Sequence, residues 1–270
     1  MRHAAMLLGL SLLLVACDGA PTTPGTSEPV RGPSLTGTVV EQDLSQPTYP
    51  TLALKAWSGG AGTVAGTVVD DSGKTTTVAT GTLNADGTFS LTLPAAVDSA
   101  RLGTLSSALD LRDNPLLPTG LSCTAALVPS DTAARGAALL VAVAGQKAGV
   151  ISPVVQSGQL DESTQTGTID TRSGGYFYSD RAVNISGTQT CTGTYEGLPI
   201  QATLNSAVQF VRGWNAVSVA SNIRIDKNGV TLATTSQTGA LPTNQWLYGS
   251  GSLSGLGLRG PGLRGLPDLR

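Results

Sequence analysis

The chain has 270 residues, of which 13% are charged and 4% aromatic, and its formal net charge is −2. So sparse and balanced a charge leaves no basic surface from which binding could release counterions, which argues against a nucleic-acid partner. Hydrophobic residues reach 40% with few aromatics, so a core must be filled mainly by Val, Leu, Ile and Ala, as in packed β layers.

Residues 1–17 fall into three zones: a short head with Arg2, an apolar run from Leu7 to Val15, and small Ala16 before Cys17. This is the layout of a secretory signal peptide. No later apolar run approaches the roughly 20 residues that a membrane-spanning helix needs. The longest, Ala137 to Ala144, is too short. The tetrapeptide Leu14-Val15-Ala16-Cys17 resembles the lipobox of bacterial lipoproteins. The resemblance implies removal of residues 1–16 and acylation of Cys17 with diacylglycerol and chains such as palmitate. It places the protein in the cell envelope, anchored by lipid to the outside of a bacterial membrane. Two or three acyl chains hold stably where a single chain binds only marginally. An ordinary secretory signal with an incidental cysteine is the alternative. Asp18 is similar to an inner-membrane retention signal of some two-membrane bacteria, and the choice of membrane stays open.

The following DGAPTTPGTSEPVRGPS is rich in Pro, Thr, Gly and Ser and lacks apolar periodicity, which predicts a disordered tether over residues 17–33. A flexible coil of about 16 residues would hold the folded part roughly 20 to 25 Å from the bilayer.

An all-β fold is expected beyond it, as one or two antiparallel β-sandwich units. LTGTVVE, TLALKAW, GTVAGTVV, TTVATGT and TFSLTL follow one another between residues 35 and 93. The breaks Asp71-Ser72-Gly73-Lys74 and Asn84-Ala85-Asp86-Gly87 hold residues that tolerate the positive φ of tight hairpins. Short strands at this rhythm predict a sandwich unit over 34–115. GTLNADGTFSLTLP, residues 81–94, is similar to a hairpin of transthyretin-like and carboxypeptidase-regulatory-like sandwich domains. That resemblance implies that Phe89, Leu91 and Leu93 point inward.

Residues 95–120 break the rhythm. Leu102, Leu105, Leu109 and Leu111 allow a short helix or an irregular connection ended by Pro115 and Pro118, and the unit boundary is placed here. A second β-rich unit is expected over 116–248, with LSCTAALV, AALLVAVA, YFYSDRAVNISG, TQTCTGTY, IQATLN, AVQFVRGWNAVSVA, NIRID and VTLATT. Gln156 to Ser173 reads as a polar stretch with few apolar anchors. Asp226-Lys227-Asn228-Gly229 is a further hairpin signal. VQFVRGWNAVSV resembles a strand-turn-strand of bacterial surface modules, which implies a structural Trp214. Residues 249–270 repeat Leu-Arg-Gly and read as a disordered tail. The other reading has Arg259, Arg264 and Arg270 touch an anionic lipid or cell-wall polymer.

With Cys17 acylated, Cys123 and Cys191 remain, and an oxidising compartment favours their pairing over two buried thiols. The only histidine, His3, leaves with the signal segment, so imidazole-based nucleophile pairs and the usual zinc shells are excluded. Asp70-Asp71 and Asp161-Glu162 are sequence neighbours, which point to opposite faces of a strand, and read as solvated turns. Thr82, Asn84 and Asp86 resemble part of a calcium loop, but Leu93 stands where the loop needs Glu. Ser72 and Lys74 suggest a Ser-Lys dyad, yet lie in an exposed hairpin. No catalytic residue, metal or cofactor is assigned. Tyr176 with Tyr178, and Trp246 with Tyr248, each share a strand face, either to bind a sugar ring or protein partner or to cover the core.

The expectation is a lipid-anchored envelope protein serving as a structural or binding module without catalysis. Its partners would be the membrane through the N-terminal lipid and an envelope protein or cell-wall polymer, with no nucleic acid. An apolar-ligand carrier or chaperone-like lipoprotein, and a cell-wall glycan enzyme working with carboxylates alone, are the alternatives.

Overall fold

A computed structural model describes residues 31–45, 50–70, 73–105, 111, 117–118, 120–124, 127–161, 163–164, 166–195 and 197–250. The expectations for the signal segment, Cys17, Asp18 and Arg259, Arg264 and Arg270 lie outside these residues. So do those for Asp71, Ser72, Leu109 and Glu162 and the boundary at 115/116.

The chain is all-β. In order, its strands are β1 (Arg31–Gln42), β2 (Leu54–Ala56), β3 (Gly62–Val69), β4 (Thr75–Leu83), β5 (Thr88–Pro94), β6 (Gly103–Thr104), β7 (Ser122–Cys123) and β8 (Arg135–Ala144). There follow β9 (Ala148–Ser152), β10 (Val154–Asp161), β11 (Thr166–Ser179), β12 (Val183–Tyr195), β13 (Leu198–Phe210), β14 (Gly213–Asp226), β15 (Gly229–Thr238) and β16 (Gln245–Gly249). β1 starts at Arg31, ahead of the expected start at residue 34. No described helix is long and apolar enough to cross a membrane.

The hairpins form where turn chemistry placed them. In the β4–β5 turn the Asn84 amide donates to the Thr88 carbonyl (2.8 Å), and Asp86 Oδ1 accepts from the amide and hydroxyl of Thr88 (3.0 and 2.7 Å). Gly87 closes that turn at φ +87, a left-handed conformation that a β-carbon disfavours. Beyond it Phe89, Leu91 and Leu93 are buried while Ser90 and Thr92 are exposed. Asp226–Gly229 closes the β14–β15 hairpin in the same way, with the Asn228 amide on Asp226 Oδ1.

The sandwich expectation is corrected in one respect: β1, β5, β4, β3, β8, β9 and β16 pair in a ring that closes as a barrel. The closing pair is parallel, Thr38 to Val40 of β1 against Gln245 to Leu247 of β16. Closure satisfies edge groups that an open sheet would leave exposed. Leu35, Val39, Val64, Leu91, Val141 and Trp246 are among the buried side chains that fill the interior.

β8 joins the barrel to a second sheet. Its residues from Leu139 onward pair with β3, and from Val141 onward also with β9, while Gly136 to Ala138 pair with β11. β11 then leads through β14, β15 and β13 to β12 and β7, with β10 on its free flank. Strands from either side of the expected boundary thus pair with one another, as in β3 with β8 and β1 with β16. The stretch from Gln156 to Ser173, read as merely polar, is the β10–β11 hairpin. Its backbone ladder stands on few apolar anchors, chiefly buried Ile169.

Within residues 95–105 the connection is irregular. A single 3-10 turn, Ser99–Arg101, is capped by Asp98 Oδ1 on the Ala100 amide, and Leu102 and Leu105 are buried. Leu105, Leu111 and Leu127 cover one face of β12 and β13, packing with Ile185, Leu204 and Val208. The disulfide Cys123–Cys191 pins this cover to the sheet by joining β7 to β12.

Candidate functional site

The aromatic candidates are parts of the packing. Tyr178 is buried and meets Trp214 edge to face at 5.3 Å. Tyr176 packs half-buried against the barrel core, and burial pushes its phenol pKa up. Phe177 faces the other side of the strand, toward Phe210. Trp246 is buried inside the barrel with its ring edge-on to Phe89 at 5.4 Å. Tyr248 packs beside it against Trp57 and donates its hydroxyl to the Ala148 carbonyl (2.9 Å).

Trp214 holds the junction of barrel and second sheet. Its indole N–H donates to the Pro94 carbonyl at the end of β5 (2.8 Å). Asn215 fixes the preceding turn: its Oδ1 accepts from the Val211 amide (2.9 Å), and its Nδ2 donates to the Val211 and Gly213 carbonyls (both 2.8 Å). The flanking strands are not a hairpin, since β15 lies between β13 and β14.

Of the acidic candidates, the described Asp70 and Asp161 are turn caps. Asp161 Oδ1 accepts from the hydroxyl and amide of Ser163 (2.6 and 3.0 Å), and the Ser163 hydroxyl bond leads the effects that lower its pKa. Asp161 and Asp226 line one open hollow of about 380 Å³ together with Arg224. Asp70 receives the Lys74 amide (3.0 Å). Among the described residues no group of three or more His, Cys, Asp or Glu side chains could hold a metal ion.

A polar cluster of residues distant in the sequence sits at the barrel mouth. Glu41, at the end of β1, is buried. Its two carboxylate oxygens each accept from Lys147 Nζ (2.8 Å), and Oε1 also accepts from the amide and hydroxyl of Ser58 (both 2.9 Å). Lys147 Nζ further donates to Ser58 Oγ (2.7 Å). Burial pushes the Glu41 carboxyl pKa up, but the bonds from Lys147 and Ser58 outweigh it and hold the group below its ordinary value. Lys147 Nζ thus has three oxygen acceptors, two on Glu41 and one on Ser58. The cluster acts as a clasp. It ties the loop before β3 to the β8–β9 turn, where the Gln146 amide also donates to the Gly59 carbonyl (2.8 Å). Under this loop lies Trp57, whose ring occupies the space a β-carbon on Gly59 would need. Its residues are 17 and 106 positions from Glu41, so no local pattern could reveal it.

A second feature is broad. β12, β13 and β15 lie side by side and contain no charged residue. Their solvent face carries cross-strand rows such as Thr188–Asn205–Thr235 and Thr192–Gln201–Thr231. All six of these residues are exposed. The strings TQTCTGTY, IQATLN and VTLATT held this signal as an absence of charge.

Set against protein-family models, curated proteins and solved structures, the chain has no significant match in any of the three.

Proposed function

We propose that the protein is a bacterial envelope lipoprotein, tethered outside the membrane through an acylated Cys17 and serving as a structural or binding module without catalysis. The carrying observation is Leu14-Val15-Ala16-Cys17 at the end of the apolar run. The bridge between Cys123 and Cys191 supports it, because both other cysteines are engaged and Cys17 has no partner left in the chain. The Pro-, Thr- and Gly-rich run after Cys17 would serve as its tether. The filled barrel interior favours a module that binds with its surface over a carrier of apolar ligands.

Metabolic labelling with a clickable fatty acid tests the anchor. Wild type takes up the label and Cys17→Ala does not; equal labelling of the two proteins contradicts the reading.

A further inference from the structure

We infer that the lipoprotein stands on its membrane with the hairpin tips of the second sheet outermost, so that the turn Asp226–Gly229 and the hollow beside it meet partners beyond the bilayer. The inference rests on the reading of Cys17 as the anchor and gives the anchored module its direction. The chain enters the fold at Arg31, which pairs with Pro94 at the end of β5. The Trp214 indole N–H donates to the Pro94 carbonyl (2.8 Å), so β14 starts beside this entry point. Asp226 ends the strand twelve residues further on, and at about 3.3 Å per residue it lies roughly 40 Å away. β11 covers the same distance in reverse, since Tyr178 pairs with Trp214 and Gly167 with Ile225.

Three reversals of the chain share the far end. Asp161 pairs with Thr166 across the β10–β11 turn, Tyr195 with Leu198 across the β12–β13 turn, and Asp226 with Gly229 across the β14–β15 turn. The registers Gly167 to Ile225, Ile225 to Val230 and Val230 to Ile200 set these turns side by side. Gln159, Asp161, Arg224 and Asp226 line the hollow of about 380 Å³ at this tip. Among the described residues the exposed large apolar side chains, Leu44, Leu54, Val128, Val155 and Val211, all lie elsewhere. Contacts made at the tip are therefore hydrogen bonds and ion pairs from a carboxamide, two carboxylates and a guanidinium.

The test uses the full lipoprotein, purified from cells and added to preformed phosphatidylcholine vesicles that carry a trace of lipid-linked acceptor dye. Ala96→Cys, two residues past Pro94, and Asn228→Cys at the tip each place a thiol at an exposed position. Acylation occupies Cys17 and the bridge occupies Cys123 and Cys191, so a maleimide donor dye reports on the new site. Energy transfer to the bilayer should be at least twofold more efficient from position 96 than from position 228. Equal transfer means a module lying along the membrane, and stronger transfer from position 228 means an inverted one; either overturns the inference. Sedimentation with the vesicles reads the anchor in the same samples. Protein left in the supernatant contradicts the anchor and the orientation with it, whereas sedimented protein with the wrong order of transfer contradicts the orientation alone.

Discussion

Glu41 and Lys147 lie 106 residues apart in the chain and meet across the mouth of the barrel, with Nζ 2.8 Å from both carboxylate oxygens. The pair encloses a buried carboxylate under a partly exposed ammonium. Removing the cation by Lys147→Met should cost about 2 kcal/mol, less than the roughly 3–5 kcal/mol of a fully buried pair because water already reaches Lys147. Urea unfolding of the two proteins at neutral pH measures this. A loss below a few tenths of a kcal/mol would show that the clasp adds nothing.

The same pair gives a pH dependence with a fixed sign. The Glu41 pKa is lower in the folded protein than its ordinary 4.5, so the unfolded chain binds the proton more readily. Its stabilisation is complete above the ordinary value and is lost as pH falls through the lower folded value. Melting curves between about pH 6 and 3 should therefore fall more steeply for wild type than for Glu41→Gln. Parallel curves would contradict it.

Ser206 and Ser236 face each other in the β13–β15 pair, yet they differ in partners. Ser206 Oγ donates to the Ile185 carbonyl (2.7 Å), whereas Ser236 Oγ is buried without a hydrogen-bond partner. Ser206→Ala should cost about 1 kcal/mol, and Ser236→Ala should leave stability unchanged or raise it by up to about 1 kcal/mol. Denaturant midpoints of the two variants provide the check, and equal losses would contradict the contrast.

The bridge spans 68 residues between Cys123 and Cys191. Chain entropy predicts that replacing both with Ala costs roughly 4 kcal/mol, less any strain relieved. The loss should first expose the face of β12 and β13 beneath Leu111 and Leu127, read as faster hydrogen exchange there than in the barrel. Uniform acceleration would argue against a local cover.

Local features were legible in the sequence. The hairpin resemblance over residues 81–94 implied inward Phe89, Leu91 and Leu93, turn residues located the β4–β5 and β14–β15 hairpins, and the compartment argument paired Cys123 with Cys191. Closure was not legible, because it depends on Val39 meeting Trp246 from the far end of the chain. The β10–β11 hairpin escaped because residues such as Gln156, Ser157 and Gln159 give no apolar alternation, although their backbone pairs regularly with Thr171, Asp170 and Thr168. Aromatic pairs on one strand face were visible, but only packing decided that Tyr178 and Trp246 are core.

The proposed lipid on Cys17 can be read outright by mass spectrometry of the N-terminal peptide from protein extracted from cell membranes. That peptide should begin at Cys17 and carry the mass of diacylglycerol, with or without a further acyl chain. A mature N-terminus elsewhere, or Cys17 with an unmodified thiol, would contradict it.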